Sequence, residues 1–219
     1  MTGISKFCLN RRQLSEKRPG QFGPDSRQGA SSTTKLTCSR RFNKAASPEE
    51  HVMFIVATQD PNTRGQSEGP ESGADAWGAL LPIDAGLTQA EADRQLATYL
   101  AGVQAGEPLC IRAHGNDEEI GDAEAGAKDW GWTYKKLARM LATHLTATPS
   151  VVLIRSCAEE VTNFPTQMAV RLESNWPGAN HLDGVVIYGY NTSVNISTPV
   201  PSPQQLTKNV QVQPVIVSL

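Results

Sequence analysis

Hydrophobic residues recur along this chain in two alternating rhythms. Short continuous apolar runs stand at 52–57 ("VMFIVA"), 109–113 ("LCIRA"), 151–154 ("VVLI") and within 183–190 ("DGVVIYGY"). Their length and their β-branched and aromatic content predict strands. Between them the spacing becomes helical. Residues 87–103 place Ala92, Leu96, Tyr99, Leu100 and Val103 on one face, and Thr88 with Glu91 three residues later forms a capping box behind Leu87. Residues 132–145 align Leu137, Met140, Leu141 and Leu145. A third helix is predicted in 162–176, with Pro165 in the first turn, where a missing N–H costs little.

This alternation of strand and helix predicts an α/β fold, a mostly parallel central sheet with helices on both faces in three layers. Continuous apolar inner strands fit burial on both faces. Asp60-Pro61-Asn62 ends the first run as a turn, and a Gly/Ser/Glu-rich loop follows. The tail predicts two more strands, "SVNIS" at 193–197 and an edge strand within 209–219. Pro199, Pro201 and Pro203 make the link between them irregular.

Charge divides the chain. Residues 1–50 carry ten lysines and arginines against four acids, whereas the remainder carries ten against eighteen. The first 48 residues are polar and poor in aromatics, which predicts a disordered basic leader ahead of one α/β domain at 49–219. An acidic body argues against nucleic acid as the partner. No apolar run reaches the ~18 residues of a membrane span, and the first twenty residues lack the apolar stretch of a secretory signal peptide. The expected location is the cytoplasm, or outside the cell through a specialised secretion system. Cys8, Cys38, Cys110 and Cys157 show no metal-like spacing and are expected as free thiols, with no metal and no cofactor.

Two runs end on chemistry. "LCIRA" leads into His114-Gly115, and "VVLIRS" leads into Cys157. In parallel sheets sites gather beyond the carboxyl ends of strands, so consecutive strands can deliver both residues to one rim. A thiol needs help to become the attacking thiolate, and a neighbouring imidazole provides it. The N–H groups beside Gly115 and at Cys157 are candidate oxyanion donors.

An apolar strand ending in His-Gly, then a helix, then an apolar strand ending in Cys resembles the caspase-like (clan CD) cysteine peptidases. The stretch "CIRAHGND … VVLIRSCAEE … MAVRLESN … GVVIYGYNTSVNI" is most similar to the self-processing cysteine protease domains of bacterial toxins. The resemblance covers roughly residues 52–197. It implies a thiol protease acting on polypeptide, with Cys157 as nucleophile, His114 as acid–base, Gly115 at the oxyanion and no obligatory third catalytic residue. It also implies a toxin or effector setting and an inositol phosphate activator, for which Lys128, Lys135, Lys136, Arg139 and Arg171 are available. Ala113 departs from the Gly or Ser commoner before the family's histidine, and Ser156 from the Ala or Gly commoner before its cysteine. A catalytically inactive scaffold of the same fold therefore stays open as a reading.

Other residues carry weaker expectations. Glu118 and Glu119 belong to an acidic run (with Asp117, Asp122 and Glu124) that either is solvated or favours basic peptides. Trp130 and Trp132 either pack under the second helix or wall a substrate pocket. By resemblance, Arg64 stands where caspases keep a residue of their pocket for acidic side chains. His181 follows the cysteine as in glutamine-amidotransferase-like hydrolases, although "IRSCAEE" lacks the small residues of that nucleophile turn.

Overall fold

The structure is a computed structural model and describes residues 53–121, 130–156, 164–175 and 180–218. The leader expected at 1–48 and Cys157 lie outside the described residues, as do Asp122, Glu124 and Lys128. One six-stranded sheet is built from β1 (Met53–Val56), β2 (Ala79–Pro82), β3 (Pro108–Arg112), β6 (Val151–Arg155), β7 (Val186–Tyr190) and β8 (Val212–Ile216). Their order is β2-β1-β3-β6-β7-β8, parallel throughout except for the β7–β8 pair. A small antiparallel hairpin pairs β4 (Glu119–Ile120) with β5 (Trp132–Thr133).

Three helices follow the predicted stretches: α2 (Gln89–Ala101), α3 (Tyr134–His144) and α4 (Phe164–Asn175). The capping box forms as read, with the Thr88 amide donating to Glu91 Oε2 at 2.9 Å. Crossovers between parallel strands are right-handed, so the direction of travel across the sheet decides which face a helix covers. The chain steps one way from β1 to β2 and the opposite way from β2 to β3 to β6 to β7. Accordingly Leu96 and Leu100 (α2), Leu137 and Leu141 (α3), and Met168 and Leu172 (α4) share one core with Ile55, Ile111, Ile154 and Ile187.

Of the predicted layers, α2, α3 and α4 together form the one on this face. The opposite side of the strands, with Phe54, Cys110, Leu153 and Tyr190, is covered by Trp77 from the 3-10 turn Ala74–Trp77, Leu206 from the turn Pro203–Lys208, and Val200. Among the connections between parallel strands, only the β1-to-β2 step runs in the direction that sends its chain there; Val200 and Leu206 come from the link to the antiparallel β8.

Three elements differ from expectation. A short helix, α1 (Pro61–Glu68), occupies what reads as turn and loop. It has almost no apolar stripe, but Asp60 caps it, accepting from the Asn62 and Thr63 amides at 3.3 and 2.8 Å, and Pro61 begins it. The edge strand β2 hides in "ALLP". Residues 193–197 form no strand, because their carbonyls turn toward buried arginines instead of a neighbouring strand.

Candidate active site

The chain's travel across the sheet reverses between the parallel neighbours β1 and β3, and the connections leaving them diverge. Such a switch point opens a crevice at the carboxyl rim. The rim is well ordered by ladder bonds: the Ala57 amide donates to the Arg112 carbonyl at 2.8 Å, and the Ala113 amide to the Arg155 carbonyl at 3.0 Å. Arg112 and Arg155 are register partners, so β3 and β6 end level with each other. His114 is exposed two residues beyond one end. Ser156, the last described residue before Cys157, ends the other.

His114 is fixed from its backbone outward. Its carbonyl accepts from the Gly121 amide at 2.9 Å, and Gly115 bridges to Ile120, so the β4–β5 hairpin clamps the turn. Gly115 has no positive φ; it is required by close approach. A Cβ there would lie 2.4 Å from the Glu119 carbonyl oxygen and 2.8 Å from Ile120 Cα. A small cavity of about 60 Å³ opens beside His114, lined by Thr63, Ala113, Arg155, Ser156, Val194 and Ile196.

Two groups near the rim escaped the sequence reading. Asp60, read there only as turn chemistry, is close enough to His114 to interact electrostatically. Burial alone would raise its carboxyl, but hydrogen bonds from the Thr63 hydroxyl and from the Thr63 and Asn62 amides outweigh that, aided by His114. They hold it below the ordinary carboxylate value. The second group is the buried pair Arg112 and Arg155. Its sequence signal was present, since each arginine stands two residues before His114 or Cys157 in a matching run.

Of the peripheral candidates, Glu118 and Glu119 are exposed on the hairpin, their amides both donating to Asn116 Oδ1. Trp130 and Trp132 are fully buried, which corrects their reading as walls of an open pocket. Their rings pack 5.0 Å apart, and Trp132 Nε1 donates to Asp93 Oδ1 of α2 at 2.9 Å. The Arg64 Nη1 donates to the Thr58 and Ile83 carbonyls, so this side chain ties strand ends together. Cys110 is core, its thiol pushed up by burial and thus unreactive. His181 lies in the turn Asn180–Leu182, where its carbonyl accepts from Thr148 Oγ1 at 2.6 Å. Both residues precede their strands, which puts His181 at the rim opposite His114 and Ser156 and removes the support for an amidotransferase-like pairing.

Basic residues of α3 and α4 converge elsewhere. Lys135, Lys136, Arg139, His144 and Arg171 line a groove of about 610 Å³, with Asp93 bonded to Lys136 at 2.8 Å. Among the described residues no cluster of His, Cys, Asp and Glu could hold a metal ion, and no helix is long and apolar enough to cross a membrane. Compared with protein-family models, curated proteins and solved structures, the chain finds no match.

Proposed function

We propose that this chain is a cysteine peptidase of caspase-like type, with Cys157 as nucleophile and His114 as acid–base. One observation carries the reading: His114 stands at the switch-point rim on the strand next to the one that runs into Cys157, and the two strands end in register. The thiolate sulfur adds to the scissile carbonyl, and the oxyanion accepts from the N–H groups of Gly115 and Cys157. The C–N bond breaks as His114 passes its proton to the leaving amine, giving an acyl-enzyme. Water, deprotonated by His114, then releases the acid and restores the thiol. The basic groove of α3 and α4 supplies the chemistry that an inositol phosphate activator requires, and a toxin or effector setting is consistent with this reading.

Labelling by an electrophilic peptide probe tests it. Wild-type chain should be labelled at Cys157 and should cleave peptides, and Cys157→Ala should do neither. A second reading, an inactive scaffold of the same fold, is favoured by Ser156, which lines the cavity where a smaller residue would leave more room. Absent labelling of a folded wild-type chain would select it.

A further inference from the structure

Arg112 and Arg155 lie side by side on β3 and β6, only 1% and 4% exposed. Fully buried arginines are rare unless paired with an acid. Neither makes an ion pair among the described residues. Each instead uses Nη2 on the loop after β7: Arg112 donates to the Ile196 carbonyl at 2.6 Å, and Arg155 to the carbonyls of Asn195 and Thr198. Arg112 Nε and Nη1, Arg155 Nε and Ser156 Oγ are buried without partners, and the buried Tyr190 hydroxyl stands close enough to Arg155 to interact with it. Buried polar groups are nearly always satisfied, and one hydroxyl can answer only part of this donor excess, so the orphans point to a missing acceptor. The pair is also electrostatically unhappy as it stands. Burial, and then the adjacent Arg155, push the Arg112 guanidinium down to about 10.

The cavity beside them decides what fits. At about 60 Å³ it holds roughly two waters' worth of liquid volume, far less than a whole drug-sized ligand needs. Arg155 and Ser156 both line it. We propose that this cavity binds a single oxyanion group, a carboxylate or a phosphate, held by the Arg155 guanidinium and the Ser156 hydroxyl, with Arg112 adding the second positive charge. A guanidinium matches the paired oxygens of either group and is the favoured partner for both. The site does not depend on Cys157 acting as a nucleophile.

Isothermal titration of the full chain, at fixed ionic strength in chloride, with inorganic phosphate and separately with acetate, tests the site. At least one anion should bind with one site per chain, and the tighter of the two identifies the source of the oxyanion. Near saturation the melting temperature should rise by about 2–4 °C. Arg155→Gln should weaken binding at least about tenfold, and Ser156→Ala by about 3- to 10-fold, the loss of one hydrogen bond. Arg155→Lys should fall between wild type and Arg155→Gln. Cys157→Ala and the groove variant Arg139→Gln should bind as wild type does. Should Arg155→Gln fail to fold, Ser156→Ala carries the test alone. No binding heat with either anion, or unchanged affinity in Ser156→Ala, overturns the site and leaves the arginines as anchors of the loop.

Discussion

The two faces of the sheet bury nearly the same strands by different means. On the helical face, leucines, isoleucines and methionines from α2, α3 and α4 close over Ile55, Ile111, Ile154 and Ile187 in one apolar cluster. On the loop face, the same strands present Cys110, Arg112, Leu153, Arg155 and Tyr190 to short turns and an irregular proline-rich segment. A helix uses its own carbonyls internally, so it has little to offer a buried cation. A loop has free carbonyls, and those of Asn195, Ile196 and Thr198 receive both arginines. Polar chemistry is thus built into this sheet at the rim of the face that α2, α3 and α4 do not cover. The helical face then acts as a rigid mount.

Exchanging effects between the faces tests that division. The largest expected effect is on the rim and on activity alone. His114→Ala should lower kcat/KM for peptide cleavage by ~10²–10⁴-fold, the usual loss on removing a general acid–base group. Its melting temperature should stay within about 1 °C, because His114 is exposed. A collapse of stability in this variant would show that the rim belongs to the core after all.

The helical face should respond in the opposite sense. Leu141 is 1% exposed and packs in the helical-face core. Leu141→Ala should destabilise by ~2–5 kcal/mol, through lost transfer energy and the cavity left behind. Denaturant unfolding measures this, and probe labelling of the still-folded fraction should match wild type. Gly189→Ala should cost ~1–3 kcal/mol on the same face, since a Cβ there would lie 2.0 Å from Pro165 Cγ, and the proline ring cannot yield by rotating. Labelling that fails while the chain remains folded would dissolve the distinction between mount and site.

What could be read in advance follows the same boundary. The helical face was legible because its signals are local: Thr88 and Glu91 announce the start of α2, and Leu137, Met140 and Leu141 announce the inward stripe of α3. The loop face was not. α1 is made by a cap, a proline and a rim position, with only Thr63 and Ser67 buried, so periodicity could not find it. "SVNIS" has strand composition, but its carbonyls answer arginines 40 and 84 residues distant in sequence. Arginine reads as surface until register shows two of them paired across β3 and β6. The rim position of His114 was legible from the run that precedes it; Asp60 beside it required the fold.

The smallest expected effect lies where cap and rim meet, at Asp60. Its carboxylate accepts from the Thr63 amide and hydroxyl and interacts with His114, which separates two roles by substitution. Asp60→Ala removes the cap and should cost ~0.5–2 kcal/mol at pH 7. Because the folded state holds this carboxyl below its ordinary value, the stabilisation is present above the unfolded pKa of ~3.9 and is lost as pH falls through the folded value. The stability gap between wild type and Asp60→Ala should therefore shrink as pH falls below about 4, read by urea unfolding at each pH. Asp60→Asn keeps one acceptor oxygen for the Thr63 amide but loses the acceptor for the Asn62 amide, so it should cost less than Asp60→Ala, about 0.5–1 kcal/mol at pH 7. It also removes the negative charge with which His114 interacts, so kcat/KM for peptide cleavage by the folded chain should fall about fivefold, the loss of roughly 1 kcal/mol of charge interaction near the surface. An unchanged kcat/KM in folded Asp60→Asn would confine Asp60 to capping α1.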